Sequence, residues 1–349
     1  MKAAQLPAEQ RTDRPGASTS GRYRALIAQL SHQSVTKHFD AYTDVPWDDP
    51  AYAIDPSDAR WVATLDNAVG TGLASTPWFR SLPAEQQARL GLDLVASKMK
   101  IGLEFENVLK RGLLEFAATL PNGSPEFRYV YHEVIEEAQH SLMFQEFVNR
   151  SGFDATGLGA VEKLATRFIV TLGRRFPSLF FVFVLGGEDP IDYVQRQELR
   201  RGTAQGADLH PLLERIMRIH VTEEARHLSF ARHYLRHHVP TLGRLRRTAL
   251  GIEAPLILGV MARMMLRPSP QIVRRHAIPR ATLRQVYRHP DNRAEMLASL
   301  RKVRSLCDEL GLVTPVTRPV WKALGIWQSG DPLVTPDSPP AGGTARTQS

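Results

Sequence analysis

Two short stretches carry the residue types and spacing of metal ligation: Glu137-Ala138-Gln139-His140, and His220-Val221-Thr222-Glu223-Glu224-Ala225-Arg226-His227. In a helix advancing ~100° per residue, positions i and i+3 lie ~60° apart, and positions i, i+4 and i+7 fall within a similar arc. Each stretch therefore aims a carboxylate and its imidazoles to one side. A lone Glu-x-x-His is a weak signal, because solvated helix faces carry charges at that spacing by chance. Two of them on separate helices, with His220 in register with the second, point to a shared metal site.

Glu-x-x-His on two helices, with one further Glu from each of two others, is the ligand arrangement of ferritin-like dimetal bundles. Glu106 fits one vacancy, since it shares a helical face with Met99, Leu103, Leu109 and Leu113. Glu104, on a more polar side, is the fallback. Glu188 fits the other, following the apolar run Phe180-Phe181-Val182-Phe183-Val184-Leu185, where an unpaired carboxylate would cost several kcal/mol. The candidate ligands are then Glu106, Glu137, His140, Glu188, His220, Glu224 and His227, with no catalytic group nominated beyond them. Their four carboxylates balance two divalent cations, and the histidines add neutral donors. Oxygen-plus-imidazole coordination suits two iron ions, with manganese as a substitute; zinc prefers fewer, softer ligands and calcium does not use imidazole. Glu136 and Glu223 read as neighbours. Glu133 stands to Glu137 as His220 stands to Glu224, so it faces the site as a neighbour or substrate contact. Asp192, one turn after Glu188, either orients an imidazole or joins Asp189 in capping a helix.

Helical elements must position these groups. Apolar residues recur at i, i+3, i+4 through the body of the chain and sustained alternation is scarce, so the fold class is all-α. One helix is expected from about Pro83 to Leu120. A second opens at Ser124-Pro125-Glu126 and runs to about Arg150, before Gly152. A third spans about Ala160 to Gly202, interrupted at Pro177 and again at Gly186-Gly187-Glu188-Asp189-Pro190. The fourth runs from about Ala207 to Val239. These make a ferritin-like four-helix bundle core, with additional flanking helices near Leu242–Leu266 and Asn292–Leu310. Residues 1–21 and 330–349, rich in Pro, Gly, Ser and Thr, read as disordered tails around a single domain at 22–329.

Composition narrows the function. With 43% hydrophobic residues in 349, the chain can bury a large core. The net charge of +8 is mostly arginine, as in Arg244-Leu245-Arg246-Arg247, and reads as a solvated basic face compatible with an acidic electron donor. No nucleic-acid motif accompanies it. Cys307 is the single cysteine, which excludes an internal disulfide, a cysteine-ligated cluster or a zinc ribbon. The apolar runs are far shorter than the ~20 residues of a membrane span, and Met1 to Arg22 lacks a signal-peptide core, so a cytoplasmic protein is expected.

At Glu137-x-x-His140, Glu188-Asp189-Pro190-Ile191-Asp192 and His220-x-x-x-Glu224-x-x-His227, the sequence resembles the p-aminobenzoate N-oxygenase (AurF-like) diiron oxygenases. The likeness runs in helical order from about Leu90 to Leu235, and the third histidine is its most specific feature. The resemblance implies the same set of ligands, with His220 as an added nitrogen donor. It further implies an oxygenase that activates dioxygen and oxidises a small aromatic amine toward hydroxylamine and nitro products, and a homodimer. The absence of a dinucleotide fingerprint calls for an external electron donor or reductase. Alternatives at this point are a hydroxylase or desaturase-like diiron enzyme on another small molecule, or a non-catalytic iron-binding protein. The pocket wall would come from Phe105, Leu109, Phe144, Phe180, Phe181 and Phe183, although a phenylalanine stripe at helical spacing is more often plain core than a substrate box.

Overall fold

Proline begins the helices that matter most: Pro125, Pro177 and Pro211 each stand in a first turn, where the missing N–H removes no helical bond. His210 caps the last of these, its Nδ1 accepting from the Leu212 N–H at 3.3 Å. Gly152 ends another in the left-handed conformation (φ 65°) that glycine adopts without strain. The computed structural model describes residues 15–63, 65, 72–205, 209–265 and 267–327.

Among the described residues the chain forms α-helices and short 3-10 turns, and no strand. In order these are α1 (Pro15–Thr36), α2 (Arg60–Ala63), α3 (Pro77–Arg80), α4 (Ala84–Ala117), α5 (Pro125–Ser151), α6 (Ala160–Arg175) and α7 (Pro177–Gln205). They continue with α8 (Pro211–His238), α9 (Arg244–Met265), α10 (Pro270–Arg275), α11 (Arg280–Arg288), α12 (Pro290–Ser299), α13 (Arg301–Glu309) and α14 (Arg318–Ala323). The long helices α4, α5, α7 and α8 form the bundle: α4 packs on α5 and α7 on α8, while α4–α7 and α5–α8 contacts close it. Around it α1 lies on α5 and α8, α6 on α4 and α7, and α9 along α7. The all-α class with an inner bundle and flanking helices is as the apolar spacing predicts.

Three local expectations change. The helix does not break at Gly186–Pro190; α7 runs through Pro190. Pro190 removes one backbone bond, but packing against α4 and α9 holds the segment helical. A side chain at Gly187 would sit 2.1 Å from the Phe105 ring, and one at Gly186 2.7 Å from Leu258, so the glycines serve close approach and not a break. The stretch 292–310 is two helices, α12 and α13, hinged at Leu300. Residues 15–21, read from composition as part of a tail, belong to α1; residues 1–14 and 328–349 lie outside the described residues. No helix among the described residues is long and apolar enough to cross a membrane.

The tightest crossing lies between α4 and α6, where a Cβ on Gly173 would fall 2.0 Å from the Gly112 carbonyl oxygen. That neighbour is backbone and cannot turn aside. Gly173→Ala should therefore destabilise the fold by about 1–3 kcal/mol through overpacking, read as a lower urea midpoint with unchanged slope.

Candidate metal centre

The apolar core is divided. One cluster takes Leu90–Met99 of α4, Met143–Val148 of α5 and Leu212–Ile219 of α8. The other takes Phe105–Ala117, Tyr129–Val130 and Leu228–Leu235 from the same helices. Between them lies a buried polar layer: Glu106 from α4, Glu133, Glu136, Glu137 and His140 from α5, Glu188 from α7, and His220, Glu223, Glu224, Arg226 and His227 from α8. Such a layer is unfavourable without compensating charge or hydrogen bonds.

The side chains nominated from the sequence come together in three groups, Glu106–His140–His220, Glu137–Glu224–His227 and Glu188–His220–Glu224, the ligand atoms of each lying within 4.8 Å of one another. Around Nδ1 of His140 stand Glu137 Oε2 at 3.3 Å, Glu224 Oε1 at 3.7 Å and Glu106 Oε1 at 3.9 Å. His227 Nδ1 lies 3.0 Å from Glu137 Oε1 and 3.1 Å from Glu224 Oε1. His220 Nε2 lies 3.7 Å from Glu106 Oε1 and 3.8 Å from Glu224 Oε1. Glu106 Oε1, Glu137 Oε1, Glu188 Oε2 and Glu224 Oε2 are buried without a hydrogen-bond partner. Orphaned carboxylate oxygens converging on imidazole nitrogens fit a pair of divalent cations.

Each imidazole is turned by an oxygen acceptor behind it. His140 Nε2 donates to Glu223 Oε2 at 2.9 Å, and His227 Nε2 donates to Glu136 Oε2 at 2.7 Å. The pairs cross between helices: the glutamate preceding each Glu-x-x-His serves the histidine of the other motif. Arg226 stands between them, 2.8 Å from Glu136 Oε1 and 3.5 Å from Glu223 Oε1. His220 Nδ1 pairs with Gln195 Oε1 at 3.0 Å. With a proton fixed on the outer nitrogen, the inner nitrogen presents its lone pair to the centre. Asp192 has no part in this, since it accepts from Arg196 Nε at 2.7 Å and lies 3.8 Å from Lys302 Nζ; Asp189 pairs with Arg232. Both serve ion pairs on α7, and neither caps a helix start, because there is no break to cap.

Glu104 lies elsewhere, accepting from the Leu158 N–H at 2.8 Å and pinning the loop before α6. Glu133 is fully buried with both carboxyl oxygens unpartnered. Burial, with the nearby carboxylates Glu137 and Glu224 adding to it and His227 opposing, holds its pKa well above the usual range. Burial and then the charge of Glu137 likewise raise Glu106 to about 8. Burial and the neighbouring His140 push His220 down to about 4, keeping that imidazole neutral. Glu136 goes the other way: burial opposes its ionisation, but the His227 hydrogen bond and the charges of His227 and Arg226 bring it to about 2.

A cavity of about 190 Å³ reaches this centre at Glu106, Glu188 and His220. Its walls are mostly apolar, including Met99, Phe105, Phe144, Val194 and Met217, and Lys98 and Arg267 also line it. Of the residues expected in the wall, only Phe105 and Phe144 line it; Leu109, Phe180, Phe181 and Phe183 are packed in the apolar core.

The family model for the P-aminobenzoate N-oxygenase AurF matches residues 20–311. The chain belongs to this family. It is 36% identical, over 301 residues, to the uncharacterized proteins Mb0909 of Mycobacterium bovis and MT0908 and Rv0885 of Mycobacterium tuberculosis, an alignment covering 86% of this chain and 86% of each relative. No solved structure matches. AurF family membership and the buried carboxylate and histidine groups together point to a diiron oxygenase.

Two outcomes follow for this AurF-family centre. Glu136→Ala leaves an imidazole N–H of His227 unpaired and should weaken metal binding by ~10–100-fold, measured by anaerobic titration with ferrous or manganous ion. Because Glu106 keeps its proton up to about 8 without metal, binding must expel that proton. Metal affinity should therefore rise as pH climbs toward about 8 and fall below it, with proton release measured calorimetrically in buffers of different ionisation enthalpy.

Proposed function

We propose that this chain is a diiron oxygenase that uses dioxygen to oxidise the nitrogen of a small aromatic amine toward hydroxylamine and nitro products. Two iron ions would be held by Glu106, Glu137, His140, Glu188, His220, Glu224 and His227. When bound, they supply the electrons and Lewis acidity for dioxygen chemistry. The observation that carries the reading is the apolar cavity opening onto three of those side chains, Glu106, Glu188 and His220. A storage site needs access for ions, whereas this approach is shaped for an apolar molecule.

The residues divide the work. Glu136, Glu223 and Gln195 hold the imidazole tautomers, so the inner nitrogens remain free to ligate. Arg226 offsets the charge of the two outer glutamates, leaving the inner carboxylates to balance the metals. Met99, Phe105, Phe144 and Met217 exclude water from the face where substrate enters. Lys98, Glu198 and Arg267 also line the cavity, so its few charged groups carry both signs. Electrons come from a separate reductase, for which the net charge of +8 favours an acidic partner, and the working form is a homodimer.

Reduced, iron-loaded protein mixed with oxygen and a panel of aromatic amines, with and without a carboxylate, should give hydroxylamine or nitro products by mass spectrometry. Glu137→Ala should lose its iron and at least ~100-fold of that turnover. His220→Ala should keep part of its iron while product formation falls. Full turnover by an iron-free Glu137→Ala preparation would defeat the proposal, as would accumulation of many irons per chain without product.

A further inference from the structure

The oxygens of Glu106 are held differently from one another. Oε2 accepts from the Ser141 hydroxyl at 2.9 Å. The Ser141 oxygen in turn accepts from the ammonium of Lys110, which also donates to the Glu137 carbonyl oxygen at 3.2 Å. Oε1 is buried without a hydrogen-bond partner and is the oxygen that faces His220 Nε2 at 3.7 Å and His140 Nδ1 at 3.9 Å. The arrangement is built from two helices. Lys110 lies one turn beyond Glu106 on α4, and Ser141 follows His140 on α5, so the hydroxyl bridges the helices at the level of the centre. The polar partners of Glu137 and Glu224, by contrast, are the imidazoles of His140 and His227, themselves members of the centre.

A carboxylate with one oxygen engaged by a hydroxyl, itself polarised by an ammonium, gives up donor strength at that oxygen. To bind a metal through both oxygens, or to bridge, Glu106 would have to offer the remaining lone pair of an oxygen already drawn toward Ser141, so that hydrogen bond disfavours both modes. We propose that Ser141 and Lys110 are positioning residues that confine Glu106 to ligation through Oε1 alone, at the metal it shares with His140 and His220. A metal held there would then keep free the coordination position that Oε2 would otherwise take. Glu106, Glu188 and His220 line the cavity, the approach by which substrate and dioxygen would reach such a metal. This inference rests on the dimetal reading above, and its test uses no turnover, so the two can fail separately.

The test uses full-length protein, wild type and the variants Ser141→Ala, Ser141→Thr and Lys110→Met, titrated anaerobically with cobalt(II) and read by visible absorption. Cobalt absorbs more weakly as its coordination number rises, so the spectrum reports the number of ligand atoms and not the stability of the fold. At full occupancy Ser141→Ala should absorb more weakly per bound ion than wild type, with affinity lowered by about 10–100-fold at most. Lys110→Met should shift the spectrum in the same direction, and Ser141→Thr, which keeps the hydroxyl, should restore the wild-type spectrum. Superposable spectra of wild type and Ser141→Ala at full occupancy would overturn the proposal. If Ser141→Ala does not fold, Lys110→Met decides on the same criterion. Loss of cobalt from both variants also overturns it, because the other ligands should bind without a residue that only turns Glu106. Failure of wild type to bind cobalt would instead defeat the dimetal reading.

Discussion

Buried carboxylates need positive charge, and the interior of this bundle depends on meeting that need. Glu106, Glu133, Glu137, Glu188 and Glu224 are all but inaccessible to water, and several of their oxygens have no protein partner. Burial and mutual repulsion raise Glu106 and Glu188 far from the usual carboxylate range when protons are the only cations available. Divalent metals answer the same need more strongly, because each carries two charges and accepts several oxygens at once. Folding and metal binding should therefore be linked, as in any site whose ligands must be deprotonated to bind.

The outer ring makes the centre specific. A carboxylate behind an imidazole fixes which nitrogen carries the proton and holds the ring in plane. Here the two principal carboxylates are exchanged between α5 and α8, so each helix orients the other's histidine. Arg226 ties the exchange together, and the Phe39 N–H donates to Glu223 Oε1 at 3.2 Å, which extends it to the chain following α1. Displacing one helix would thus disturb an imidazole on the other, and the paired helices behave as a unit around the centre.

The flanking elements give the centre an approach. α4, α7 and α8 leave a cavity between them that Met264 and Arg267–Ser269 also line, and its largely aliphatic and methionine-containing wall suits an apolar guest. Phe180, Phe181 and Phe183, though adjacent in sequence to Glu188, turn into the apolar core, where Phe181 packs edge-on against Phe116 and Phe230. The helix runs on through Gly186–Pro190 because those glycines admit Phe105 and Leu258. The aromatic density before Glu188 thus serves packing, and α7 contributes to the cavity wall only from Glu188 onward, through residues such as Pro190, Ile191 and Val194.

The amino-acid sequence determined the helical class and nominated the carboxylates and imidazoles that the fold brings together. A 3.6-residue period fixes which side chains share a face, and the repeated Glu-x-x-His with His220 in register is a local pattern needing no tertiary knowledge. The doublets Glu136-Glu137 and Glu223-Glu224 also held a legible clue to the orienting carboxylates, since each motif begins with two glutamates where one ligand is required. Only the tertiary structure could decide that these pairs cross between helices, that Gln195 and not Asp192 stands behind His220, and that Ser141 and Lys110 hold one oxygen of Glu106. Periodicity gives an angle around one helix axis, whereas a hydrogen bond between helices depends on their relative rotation, tilt and rise. Those are set by how complete side chains such as Phe105 and Phe180 fit against glycines on neighbouring helices, and no single segment contains that information.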